Sequence, residues 1–289
     1  MPGIPTRDDH AMSGDEFIYA YRNWVCPLCM GIEGRHDDRC VMVVKFHLLG
    51  ERAEDSNAHP RELAAMLGCR DYDGLVGAVV ANRSTPCALL MVVAIRPLDE
   101  DWSMHARDAR RNLQSHRRST QDLLHMFLFG NVWERAAAVI NDNCPDVLLA
   151  SAHQDQESLV RAASVMNSHA TVDMLQQSAN DPSPLVRYFT AVSPIATAAV
   201  LCDIAQHCSE DGDDEVVDGW YHYECEPSTV YALTIHPNFS EDVLVCLLRN
   251  SDLSVDGQEI RGYADADLAR KRGGSARLTS ARILAAAIG

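Results

Sequence analysis

The chain has 289 residues, 47% apolar and 23% charged, enough for one large or two small domains of ordinary globular composition. Its net charge of −16 argues against a surface built for a phosphate backbone, which needs clustered cations, and is accounted for by solubility or by a basic protein partner. No apolar run reaches the roughly 18–20 residues of a membrane span, and Asp8, Asp9, Asp15 and Glu16 leave the first 21 residues without an apolar centre, so no secretory signal is read there and a cytosolic, acidic protein is expected.

The charge is unevenly placed. Residues 1–130 carry 15 basic and 18 acidic side chains, residues 131–289 carry 10 and 23. Lys45 and Lys271 are the two lysines, and the other basic residues are arginine. Aromatic residues are 6% of the chain, which suits a helical core of many small layers. In a cytosolic protein the ten cysteines are expected to be free, buried or metal-bound.

In chain order, residues 1–15 read as a polar tail, and Glu16–Val25 as a short helix with Phe17, Tyr21 and Trp24 at helical spacing. Cys26-Pro27-Leu28-Cys29 follows, with Gly31, Gly34, His36 and Cys40 close behind. Two cysteines separated by two residues can hold one ion from a tight turn, and the glycines let the chain fold back. Cys26, Cys29, His36 and Cys40 together offer zinc a Cys3His site that would staple this end of the fold. His47, Cys69 and Cys87 are less local candidates for the fourth ligand. An iron–sulfur cluster would prefer four thiolates and would recruit Cys69 or Cys87; unmetallated cysteines are the third outcome. A redox reading of the CxxC lacks the strand–helix context of thioredoxin-like folds. Val41–Leu49 is an apolar run, a buried helical turn or a strand.

From Trp133 to Gln206 the sequence repeats every 26 residues. Arg135, Arg161 and Arg187 share a column. So do Val139, Val165 and Ala191, then Asn141, Asn167 and Ser193, then Leu149, Leu175 and Leu201. A spacing this strict marks stacked units. With the arginine column as zero, looser units start upstream at Val76 (Asn82, Leu90), Arg110 (His116, Leu124) and, weakly, Ala53 (His59, Leu67). Downstream a unit starts at Val230 (His236, Leu244), after an insertion that contains Ser209–Glu215.

One unit shows the physics. Leu159–Met166 is a short amphipathic helix that Asn167-Ser168-His169 breaks. Thr171 caps a second helix, Val172–Ala179, which Asn180-Asp181-Pro182-Ser183-Pro184 ends. Helices this short are unstable alone and must bury a face on the next unit. The recurrent Asn, Ser or His at the break can bond freed backbone groups between helices, so His116 and His236 are expected to be structural. The arginine column is expected to pair with Asp155 and Asp181. Residues 251–274 are polar, and Ala276–Ile288 reads as a closing helix. The resulting organisation is a Cys-rich cap over 1–50, a helical repeat region over 51–250 with an insertion at about 207–225, and a polar linker with capping helix over 251–289.

On these columns the chain resembles the leucine-rich repeat variant proteins of bacteria. Val160-Arg161-Ala162-Ala163 and Leu185-Val186-Arg187 carry the opening of that family's unit. Ser193-Pro194 and His236-Pro237 carry its break, Leu175 and Leu201 its second helix, and Asp155 and Asp181 its link. The resemblance covers roughly residues 53–250 with interruptions. It implies a right-handed α-solenoid of alternating α and 3₁₀ helices, an iron–sulfur cluster on N-terminal cysteines in some members, and an interaction scaffold with no activity of its own. A HEAT-like α/α solenoid is the neighbouring architecture.

Three departures from the repeat are candidate sites. The first is the cysteine cluster. The second is the arginine run Arg107, Arg110, Arg111, Arg117 and Arg118, a possible stripe for phosphate or an acidic partner, against which stands a solvated face paired with Asp101 and Asp108. The third is the insertion, where Asp211, Asp213 and Asp214 precede Trp220, Tyr221 and Tyr223, a plausible contact for a basic protein. It lacks the ligand spacing of a calcium loop. Cys144, Cys202, Cys208, Cys225 and Cys246 are expected as small core residues. There is no P-loop, G-x-S-x-G, H-E-x-x-H or glycine fingerprint. The expected function is therefore a non-enzymatic, protein-binding all-α solenoid with a metal-stapled end. A nucleic-acid-binding, repair-like helical-repeat protein and an iron–sulfur or redox protein are the alternatives.

Overall fold

A computed structural model describes residues 14–22, 49–67, 73–96, 103–208 and 229–250. Every regular element among the described residues is a helix, none a strand, and no described helix is long and apolar enough to cross a membrane. Two compact units divide the chain, Met1–Leu148 and Leu149–Gly289.

In the first unit the helices are α1 (Gly14–Arg22), α2 (Leu49–Glu54), α3 (Pro60–Leu67), α4 (Asp73–Ala81), α5 (Cys87–Ala94), α6 (Ser103–Ser115), α7 (Thr120–Phe129) and α8 (Val132–Val139). Helix α9 (Asp146–Ala152) spans the division. The second unit holds α10 (Ser158–Met166), α11 (Val172–Ser178), α12 (Pro184–Ala191), α13 (Ala198–His207), α14 (Thr229–Ile235) and α15 (Glu241–Arg249). Their starts are set by short polar side chains. Thr171, Ser183, Thr197 and Ser240 each accept the backbone N–H three residues on. Ser119 with Asp122 and Asn131 with Glu134 complete reciprocal capping boxes. Such a cap stabilises a helix by about 1 kcal/mol, which matters for helices of two to three turns.

Packing follows the two-helix period. In the first unit α2 lies on α4 and α4 on α6, while α1 covers α3 and α5. In the second, α10 lies on α12 and α12 on α14, and α11 lies on α13 and α13 on α15. Leu90, Leu149, Leu175, Leu201 and Leu244 of the leucine column are all buried.

The break column builds a ladder. Asn82 Nδ2 donates to the carbonyls of Ala53 (2.7 Å) and Asp55 (2.9 Å) at the end of α2. Asn112 Nδ2 donates to Val80 O (2.8 Å) and Asn82 O (3.1 Å). Asn141 Nδ2 donates to Leu113 O (2.7 Å) and His116 O (2.8 Å). In the second unit His236 Nε2 lies 3.0 Å from Ser193 O. A second rung runs two residues later, where Ser84, Asn143 and Asn238 reach Ser56 O, Arg118 O and Ala196 O. The carbonyls that a helix end leaves unpaired are thus satisfied by the following unit.

Two of the looser units are shifted from their expected register. The first break is the turn Asp55–Ala58, where Asp55 Oδ1 accepts Asn57 N and Asp55 O accepts Ala58 N. Its leucine column residue Leu67 is 0% exposed, as is Leu63 one turn earlier. His59 instead starts α3, its Nδ1 accepting Arg61 N at 3.2 Å. In the third unit His116 stands at the break, but the side chain that reaches back is Asn112, one helical turn earlier. There Leu123 is 0% exposed and the column residue Leu124 is 45% exposed.

Candidate functional site

Cys26, Cys29, His36, Cys40 and the alternative ligand Cys69 lie outside the described residues, as do Asp211, Asp213, Asp214, Trp220, Tyr221 and Tyr223 of the insertion. Cys87 is described. It opens α5 half-buried, and burial pushes its thiol up, with Arg118 opposing and Glu134 adding to the rise. Among the described residues no three His, Cys, Asp or Glu side chains come together in a group that could hold a metal ion.

The arginine run is divided by its local structure. Arg110 turns inward, Nε donating to Ala94 O (2.6 Å) and Nη2 to Arg96 O (2.9 Å), and so closes the end of α5. Arg111 pairs with Asp108 at 3.3 Å on the exposed side of α6. Arg107 and Arg117 are exposed and Arg118 half-buried. Arg117 and Arg118 lie in the turn that leads directly into α7. Two of the repeated arginines, Arg161 and Arg187, serve the fold. Arg161 grips the Asp181 carboxylate with two bonds (2.8 and 2.9 Å) and donates to Asp155 O and Gln156 O. Arg187 likewise donates to Asp181 O and Pro182 O.

Helix α7 is the feature that the repeat pattern concealed. Leu123 faces the core, while Leu124, Leu128 and Phe129 are 45%, 60% and 74% exposed. The His125 and Phe129 rings lie 5.1 Å apart on the same helix. These positions form a strip one turn apart, preceded in the chain by Arg117 and Arg118. The sequence signal was present: Leu123-Leu124-His125-Met126-Phe127-Leu128-Phe129 is apolar around most of the helix, and such a helix needs cover on more than one side. Contiguous exposed apolar side chains rimmed by charge mark contact surfaces.

Two histidines have perturbed titration. Burial lowers His153, with Arg161 assisting and Asp181 and Gln177 opposing; its Nδ1 sits 3.1 Å from Ser164 Oγ. Burial also lowers His116, together with Arg118 and Arg83. The cysteines of the second unit differ among themselves. Cys208 is buried with its thiol on Ala205 O. Cys202 and Cys246 are half-buried; burial pushes the Cys202 thiol up to about 12, with neighbouring Cys246 adding to the rise. Comparison with protein-family models, with curated proteins and with solved structures gives no match.

Proposed function

We propose that the protein is a non-enzymatic scaffold, a right-handed α-solenoid of two-helix repeats that binds another protein through the outer face of α7. The exposed strip Leu124, Leu128 and Phe129 carries this reading. Elsewhere the repeat buries its leucine column, so a helix that turns aromatic and aliphatic side chains outward is a departure that costs solvation without serving the stack. Arg117 and Arg118 at the start of α7 favour a partner with an acidic rim beside its apolar contact. The insertion, with Asp211, Asp213, Asp214, Trp220, Tyr221 and Tyr223, is proposed as a second contact of opposite charge, suited to a basic segment. Zinc on Cys26, Cys29, His36 and Cys40 belongs to this reading as a structural staple.

The nucleic-acid alternative is weakened by how the arginines are used. Arg110 is spent on backbone carbonyls and Arg111 on Asp108, which leaves too few clustered cations to track a phosphate backbone.

The test is affinity capture from a lysate of the source cell with three full-length baits: the wild type, Leu128→Glu/Phe129→Glu, and a deletion of residues 209–223. A partner held by the wild type and lost from the double variant supports the α7 face. Equal capture by the wild type and the double variant removes that face from the reading. Salt-sensitive retention of the wild type on duplex DNA, with no protein captured, replaces the scaffold by the nucleic-acid reading.

A further inference from the structure

Helices α13 and α15 are the second helices of two consecutive units and pack on one another. They run side by side in the same direction, because Asn250, just past α15, donates to Ala205 O (2.9 Å) and Cys208 O (2.6 Å) at the end of α13. On this shared surface Cys202 and Cys246 meet. Their neighbours Leu201 and Leu244 take the core, which leaves both cysteines half-buried at the edge. The Cys246 side chain lies close enough to perturb the Cys202 thiol, and Gln206 Nε2, one turn after Cys202, reaches Cys246 Sγ at 3.8 Å. By contrast, Cys144 and Cys208 are buried, with their thiols against the carbonyls of Pro145 and Ala205.

Two cysteines that face the same seam between adjoining, cross-anchored helices meet the first requirement of a disulfide, which is close, parallel placement of the backbone that carries them. We propose that Cys202 and Cys246 form an oxidisable dithiol, which a small-molecule disulfide converts into an intrachain disulfide stapling one repeat unit to the next. The chemistry is two exchanges. The thiolate of one cysteine attacks the small disulfide; its S–S bond breaks, one small thiolate leaves and takes up a proton, and a mixed disulfide remains. The second cysteine, losing its proton, attacks the protein-side sulfur of that mixed disulfide and expels the second small thiol. Two protein thiols are oxidised and one small disulfide is reduced to two thiols.

The closed bond spans, in the chain, the insertion that separates the two units. Burial, the contact with Cys246, and the carboxylates of Asp242 and Asp203 keep Cys202 in its thiol form. Cys202 is therefore slow to take part in exchange, and closure rests on the second cysteine standing beside the mixed disulfide on the adjoining helix.

The experiment uses the full-length reduced protein and excess glutathione disulfide, followed by alkylation of residual thiols at acid pH and peptide mapping by mass spectrometry. The expected result is a peptide pair joined through Cys202 and Cys246, two hydrogens lighter than the separate peptides. Cys202→Ser is expected to abolish the linked pair, leaving Cys246 alkylated or carrying glutathione, and Cys246→Ser to do the converse. Glutathione on both cysteines without a link overturns the proposal. So does full alkylation of both after other thiols in the same sample have reacted, or a link from either to a different cysteine.

Discussion

Asn141 is the most exacting test of the ladder. It is 0% exposed. Its Nδ2 donates to Leu113 O at 2.7 Å and His116 O at 2.8 Å, and its Oδ1 accepts Asn143 N at 3.1 Å. Asn141→Ala removes three hydrogen bonds, each with a net value of about 1 kcal/mol. The two carbonyls lose their donor where water has limited entry, so the expected loss is about 3 kcal/mol. At a urea dependence of about 2–3 kcal/mol per molar, the unfolding midpoint should fall by about 1 M or more. Asn141→Asp keeps the shape and the acceptor but sets a carboxylate against two carbonyl oxygens. Its folded pKa must lie above the unfolded value of about 3.9. The folded protein then binds more protons than the unfolded one, so the penalty grows as pH rises through about 3.9 and is smallest in acid. Asn141→His should be the mildest change, since His236 fills the same column position with its Nδ1 accepting Asn238 N and its Nε2 on Ser193 O. Urea unfolding of the full-length protein by circular dichroism, at pH 4.5 and pH 7.5, reads all three. A loss under about 0.5 kcal/mol for Asn141→Ala, or a pH-independent penalty for Asn141→Asp, would refute the ladder as a source of stability.

The third unit gives a contrasting pair. Asn112→Ala removes two bonds to Val80 and Asn82 carbonyls from a buried side chain and should cost about 2 kcal/mol, whereas His116→Ala, at a half-buried position, should cost far less; the reverse order in urea unfolding would restore His116 to the ladder. Asp181→Asn weakens the two-pronged grip of Arg161, whose side chains are 16% and 11% exposed as a pair, and should cost about 1–3 kcal/mol in the same assay, little of it recovered in low salt. His153 is lowered by burial, so the unfolded chain takes up its proton first: stability is fully present above about pH 6.5 and falls as pH drops through that value. His153→Gln should flatten that slope between pH 7.5 and 5.5, and an unchanged slope would locate it elsewhere. Zinc measured by elemental analysis of freshly purified protein should be near one per chain and lost in Cys26→Ser/Cys29→Ser; a colourless, zinc-free wild type would discard the Cys26, Cys29, His36 and Cys40 site.

The helical units were legible because their starts and stops are chemical. Thr171 caps where expected, and the stretch expected to end that helix also starts the next, with Ser183 as its cap and Pro184 opening α12 where a missing N–H costs nothing. The same periodicity placed Asn82, Asn141 and His236 at breaks, since one side chain with a donor and an acceptor can serve both its own turn and the unit before it. It failed at Arg110 for a related reason. A column defined by spacing assumes equal turns, but α6 runs 13 residues from Ser103 to Ser115, longer than the first helices of its neighbours. The extra turn moves the donor that faces α4 back to Asn112.

The same long helix accounts for why α7 was hidden. Leu124 falls in the leucine column by count, and a column of leucines implies burial. Geometry decides otherwise: with Leu123 turned to the core, its successor and the residues one turn on, Leu128 and Phe129, must point away from it. An apolar residue can be counted into a repeat only if the turn before it has the standard length. Where that length changes, leucines counted into the column become surface. The arginines behave in the opposite way. Arg110 and Arg161 carry charge that suggests a ligand, yet their guanidinium groups are consumed by carbonyls and Asp181. In this fold Arg110, Arg161 and Arg187 are absorbed by the architecture, and it is the apolar side chains left over on α7 that carry the proposal of a partner.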